Sequence, residues 1–165
     1  MILDDFRLTD QVALVTGAGA GIGRAIAVAF AEAGADVVAA GRTQSSLDET
    51  VRLVEAAGRS GLAVTTDVMH EDDLERLVAS AVEQFGKVSV LVNNAGGSLP
   101  RPAMQTSARY LTTALHFNAV SPFLLSKLAA QLGEQNMAPF SFDPDVADMA
   151  KREAFRAQLK SAFGR

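Results

Sequence analysis

The stretch richest in chemical suggestion is Thr16-Gly17-Ala18-Gly19-Ala20-Gly21-Ile22-Gly23, which alternates glycine with small residues. It lies between an apolar run, Val12 to Val15, and a segment of helical periodicity. A helix that starts directly after a strand presents unbonded N–H groups and the positive end of its dipole, which together suit a phosphate. Each missing Cβ helps in its own way: the backbone turns sharply, a phosphate approaches the main chain, and the helix start packs close to the sheet. The spacing is not Gly-x-Gly-x-x-Gly, whose third glycine would fall on Ile22 or Arg24. A glycine-rich turn with no ligand is the competing reading.

Three more clusters follow apolar runs in the same manner. Gly41-Arg42-Thr43 comes after Val37 to Ala40, Asp67-Val68 after Leu62 to Thr66, and Asn93-Asn94-Ala95-Gly96 after Val88 to Val92. The planar guanidinium of Arg42 matches a phosphate, although a solvated loop charge would look the same in sequence. Asp67 is a candidate contact for a ligand and also a candidate cap for the turn after it. Paired amides at a strand end can tie loose backbone groups together, while Ala95 and Gly96 leave room beside them.

In this order the clusters resemble the short-chain dehydrogenase/reductase family, over about residues 8–128. Thr16, Gly17, Gly21, Ile22 and Gly23 match its Thr-Gly-x-x-x-Gly-x-Gly hallmark, Asp67-Val68 its adenine-contacting pair, and Asn93 to Gly96 its Asn-Asn-Ala-Gly signature. Asn-Asn-Ala-Gly-Gly followed by Pro100-Arg101-Pro102 is similar to hydroxysteroid dehydrogenases and 3-oxoacyl reductases. The resemblance implies a Rossmann-type α/β oxidoreductase that moves hydride between a nicotinamide dinucleotide and a small alcohol or ketone. Gly41 stands where NAD-preferring relatives carry a carboxylate that accepts from the ribose 2′-OH and repels a 2′-phosphate. With Arg42 and Thr43 next, the expectation is NADP(H) in preference to NAD(H), with NAD(H) as the alternate cofactor.

The family's catalytic set is a tyrosine, a lysine four residues later, a serine and an asparagine. Only the asparagine carries over, onto Asn118, which a helix asparagine bonding its own backbone would also explain. The single tyrosine, Tyr110, is followed four residues on by Ala114 and precedes Asn118, so it reads as a partly buried helix residue and not as the proton donor. Ser121, Ser126 and Lys127 come too early for the missing serine and lysine, and His70 and His116 stand alone, without the company of metal ligands. The expectation is impaired catalysis; the alternatives are a non-catalytic NADP(H)-binding or dimer-forming remnant, or a non-functional truncated product.

What must position these residues is a repeating unit of strand, turn and helix, which means parallel strands with crossover helices. The first helix carries Ile22, Ile26, Phe30 and Ala33 and stops at Gly34. Ser46 and Glu49 form a capping-box pattern for the second, which ends at Gly58, and the third spans Asp72 to Phe85. A long helix is expected from about Thr106 to Leu128, broken at Ser121-Pro122. No fifth strand is legible. Residues 129–165 read as a helical tail beyond the dinucleotide-binding domain of residues 1–128, with Phe155, Leu159 and Phe163 on one stripe. Segment Asp145 to Phe163 resembles the family's mobile substrate lid, as though an internal block had been lost.

The resemblance implies a sheet of order 3-2-1-4, which would leave the fourth strand as an open edge, so self-association as a homo-oligomer is expected. Composition narrows the partners. The chain has 165 residues, net charge -4 and no cysteine, so no general attraction to nucleic acid or anionic lipid arises, and disulfides and thiolate chemistry are ruled out. No apolar run nears membrane-span length, and the expected location is cytoplasmic.

Overall fold

A computed structural model describes residues 6–136. Four parallel strands, β1 (Val12–Thr16), β2 (Asp36–Gly41), β3 (Gly61–Thr65) and β4 (Val90–Val92), form one sheet in the order β3-β2-β1-β4. Between them run the helices α1 (Gly21–Glu32), α2 (Gln44–Ala56) and α3 (Glu71–Phe85), as the repeating pattern predicts. After β4 come a short 3-10 turn (Ala103–Gln105), α4 (Ala108–Leu115), a wide π turn (His116–Val120) and α5 (Ser121–Asn136).

All five residues of β1 are buried, which accounts for a continuous apolar run where a half-exposed strand would alternate. Period-two geometry then divides the core in two. Val37 and Ala39 face α1 and α2 with Val15, Leu47 and Val54, whereas Val38 and Ala40 face α3 and α5 with Leu14, Leu74, Leu77 and Leu125. The in-register stack Val38, Leu14, Leu91 ties β4 to the centre of the sheet. Gly34, Gly58 and Gly86 follow the first three helices with positive φ, the left-handed stop expected of them.

Three boundaries differ from expectation. The Ser46–Glu49 capping box does not form, because α2 starts three residues earlier with Thr43 as its N-cap and the Ser46 N–H bonds to the Thr43 carbonyl. Glu49 is drawn instead to Arg52 at 2.7 Å. The ladder of β4 is three residues, shorter than the apolar run, and Ser89 continues it irregularly by donating its N–H to the Val12 carbonyl at 2.9 Å.

The long helix starts at Ala108, capped by the Ser107 hydroxyl that accepts the Tyr110 N–H at 3.2 Å. It is not broken at Ser121-Pro122. The residues before the proline widen into the π turn, with the Ser121 N–H bonded to the His116 carbonyl. Proline lacks an N–H and its ring collides with the carbonyl four residues back, so widening the preceding turn lets the helix continue. Helix α5 runs through position 128 without interruption to Asn136, and the expected tail helix with Phe155, Leu159 and Phe163 lies outside the described residues.

Candidate functional site

The glycine loop is knitted to the end of β4. Thr16, 1% exposed, accepts the N–H groups of Asn94 (3.1 Å) and Ala95 (3.0 Å) on its hydroxyl oxygen and donates to the Val92 carbonyl (3.3 Å). The Asn94 amide donates back to the Thr16 carbonyl at 2.9 Å. Gly17 adopts φ +66°, and a Cβ on Gly23 would lie 2.2 Å from the Gly17 oxygen and 2.5 Å from the Asn94 amide nitrogen. No side chain fits there, so α1 abuts the loop. Its N-cap is Ala20, with no side-chain cap and no acidic residue in the first turn, which leaves the first N–H groups of the helix without a protein acceptor from either source.

Two residues that the sequence reading passed over hold the loop from behind. Arg24 donates to the Gly19 carbonyl, to the Ser46 carbonyl (3.0 Å) and to the Thr50 hydroxyl (3.0 Å). Thr50 is fully buried and donates to the Ala18 carbonyl at 2.8 Å. Together they draw the loop's carbonyls toward α2, a polarity that favours an anion on the other side of the loop. A signal was available: Thr50 is a hydroxyl on the Leu47-Thr50-Val54 stripe, and Arg24 is a charge amid the apolar periodicity of α1.

A cleft of about 500 Å³ opens at the carboxyl ends of the strands. Of the expected binding residues, Gly17, Gly41, Arg42, Asp67, Val68, Asn94, Ala95 and Gly96 line it. Thr16 and Gly23 support it from beneath, and Thr43 caps α2. Gly21, at φ +56°, and Ile22, 74% exposed, stand at the open start of α1. Arg42 is exposed and makes no hydrogen bond or ion pair with another described residue. Asp67 lines the cleft, and one carboxylate oxygen accepts the Met69 N–H at 3.0 Å, capping the following turn. Its own N–H donates to Asp73 at 2.8 Å; that bond first, and Arg76 second, hold the Asp73 carboxyl below its usual range.

Asn93 is not brought into the cleft. Adjacent residues at a strand end face opposite ways, and Asn93 donates to the Ser126 hydroxyl (3.1 Å) beside a smaller hollow of about 300 Å³ outside β4. Nor does Asn118 line the cleft. Its amide accepts the Gly97 N–H (2.8 Å) and donates to the carbonyls of Gly97 (3.0 Å) and Ala114 (2.8 Å). It therefore bonds its own helix, as the plain structural alternative had it, and also holds the loop after β4.

Tyr110 does reach the cleft, on the α4 side with Thr113, Ala114 and Phe117. Its hydroxyl donates to the Leu99 carbonyl and lies 2.9 Å from the Ser98 hydroxyl, and the Arg101 guanidinium stacks 4.4 Å from its ring centre. Among the described residues no group of three or more His, Asp or Glu is placed to hold a metal ion.

A family model described as short chain dehydrogenase matches residues 11–138. Over 132 residues the chain is 46% identical to an uncharacterized oxidoreductase of Mycobacterium tuberculosis, covering 80% of this chain and 50% of that one. Over 133 residues it is 39% identical to 7alpha-hydroxysteroid dehydrogenase of Escherichia coli, covering 81% and 52%. A solved 7alpha-hydroxysteroid dehydrogenase, complexed with NADH and 7-oxo glycochenodeoxycholic acid, superposes with TM-score 0.77 at 38% identity, covering 81% of this chain and 52% of that one. The chain spans about half the length of the curated relatives it matches.

Proposed function

Because the chain belongs to the short-chain dehydrogenase family, we propose that its cleft binds a nicotinamide dinucleotide, NADP(H) in preference to NAD(H), in the service of oxidoreduction between an alcohol and a ketone. The observation that carries the reading is the pairing of an uncapped α1 start with Gly23, a position where any side chain would collide with the loop. Thr16, Arg24, Thr50 and Asn94 fix that loop, and Gly41, Arg42, Asp67 and Val68 supply the adenosine end.

Preference for the 2′-phosphorylated cofactor is supported by the exposed Arg42, unpaired among the described residues, beside Gly41, which brings no carboxylate to repel a phosphate. A structural relative holds NADH, so family membership alone does not decide between the two cofactors. When bound, the nicotinamide supplies or accepts the hydride. The chain's own residues orient it: Ala95 and Gly96 leave room beside it, and Asn118 fixes Gly97 behind them.

Turnover by this 165-residue chain is proposed to be impaired, with a non-catalytic NADP(H)-binding role as the second reading. That second reading is favoured by Tyr110, whose hydroxyl is committed to Leu99 and which has Ala114, not lysine, four residues on. Residues 1–128 would form the binding unit; the tail expected at residues 129–165 lies, beyond Asn136, outside the described residues. Self-association is supported by Leu111 and Leu115 on α4 and Phe123 on α5, each more than half exposed. No described helix is long and apolar enough to cross a membrane. A cytoplasmic location is part of the proposal. Calorimetric titration with NADPH and NADH, followed by a ketone chase, tests the reading: NADPH binding with little turnover supports it, and absence of binding overturns it.

A further inference from the structure

Between β4 and α4 the chain is shaped by side chains more than by its backbone. Residues 98–101 make no backbone-to-backbone hydrogen bond with other described residues, although Ser98 and Leu99 line the cleft. Unpaired residues of this kind sample many conformations unless something external fixes them. Asn118 fixes Gly97 from the π turn; the next two residues are held by Tyr110, which reaches back 11 and 12 positions to the Leu99 carbonyl and the Ser98 hydroxyl. Arg101 closes the arrangement by stacking on the ring.

We propose that Tyr110 is a positioning residue of the cleft: its hydroxyl fastens residues 98 and 99 to α4, and the fastened loop is a wall against which the nucleotide is held. The inference rests on the nucleotide-binding reading above and adds to it a residue that the sequence leaves without a role. Tyr110 acts through the loop, since its hydroxyl proton is directed at the Leu99 carbonyl and not into open space.

The chain has one tyrosine and no tryptophan, so emission excited where phenylalanine does not absorb reports this side chain alone. The test compares wild type with Tyr110→Phe, which keeps the ring for Arg101 and removes only the hydroxyl. Amide exchange over residues 97–101 should quicken in the variant, and the Kd for NADPH should rise about five- to tenfold, the worth of a net hydrogen bond or two. In the wild type, NADPH should quench the tyrosine emission on saturation. A tyrosine with a merely structural role would lower the melting temperature and leave the Kd at 25 °C unchanged, which would overturn the proposal. Exchange unchanged by Tyr110→Phe overturns the fastening, whatever the wild type binds. Lack of NADPH binding by the wild type removes the nucleotide reading and the wall with it. Ser98→Ala removes one exposed partner of the same hydroxyl and should give a smaller change in the same direction, so the proposal stands or falls even if Tyr110→Phe folds poorly.

Discussion

The side-chain amide of Asn118 brackets the peptide of Gly97, accepting its N–H at 2.8 Å and donating to its carbonyl at 3.0 Å. The pair lies 21 residues apart in sequence and joins the wide turn of the helix to the loop that leaves β4. Asn118→Ala removes both bonds and the one to Ala114. Urea unfolding should show a loss of about 1–2 kcal/mol, and NADPH affinity should fall with it. Unchanged stability would mean that the bracket carries no net energy in solution.

Gly23→Ala tests the contact between α1 and the loop. The new Cβ would sit 2.2 Å from the Gly17 oxygen, so the helix must move away from the strand end. Destabilisation of about 1–3 kcal/mol and loss of detectable NADPH binding are expected. Gly21→Ala is the control for stability alone: no protein atom lies within 4 Å of its Cβ, and only the positive φ opposes the fold, at a cost of roughly 1 kcal/mol. If Gly23→Ala proved no less stable than Gly21→Ala, close packing at Gly23 would not be what holds α1 to the loop.

Arg42→Ala separates the two cofactors. Its guanidinium has no competing partner among the described residues, so its loss should weaken NADPH binding by about tenfold and leave NADH nearly unaffected. The difference between the two cofactors should also shrink as ionic strength rises. Equal losses for both, measured by calorimetry, would assign Arg42 to general solvation of the rim.

Asp73 gives the β3–α3 turn a pH dependence. Its carboxyl accepts the Asp67 N–H and meets Arg76, both at 2.8 Å, and is thereby held below its ordinary value of 3.8. A carboxyl with a lowered folded-state value adds stability above its unfolded value and loses it as pH falls through the folded one. Wild type should therefore be the more stable at pH 7 when compared with Asp73→Asn, and the two unfolding curves should converge in acid. A gap that widens on acidification would contradict the assignment.

How much of this was legible in the chain depends on distance along it. Val12 to Val15 and the glycines after it were plain, because a strand buried on both faces needs an uninterrupted apolar run and a tight strand-to-helix junction needs residues without Cβ. Parallel strands with crossover helices followed from the same rhythm, whereas the order β3-β2-β1-β4 followed only from the family resemblance. Asn93 and Asn94 were indistinguishable, since sequence names both and only the pleat sends one outward to Ser126 and the other inward to Thr16. Arg24 with Thr50, and Tyr110 with Ser98, were obscure for another reason: their partners meet only after a whole helix or loop has folded back. The capping box misled because Ser46 and Glu49 fit the pattern while Thr43 lay three residues nearer the strand.

The π turn His116–Val120 has a consequence for the outer surface of the molecule. Leu111 and Leu115 are four apart, Val120 follows after five and Phe123 after three, and all four are exposed. An α-helix rotates by about 100° per residue, so the extra residue would throw the later pair out of phase in a regular helix. The wide turn absorbs it, and a single apolar seam runs across both helices. Pro122 thus sets the rotational phase between two halves of a surface it does not itself dominate: tightening the turn to a regular α-helix with all its residues would split the seam, whereas deleting one residue as well would bring the two halves back into phase.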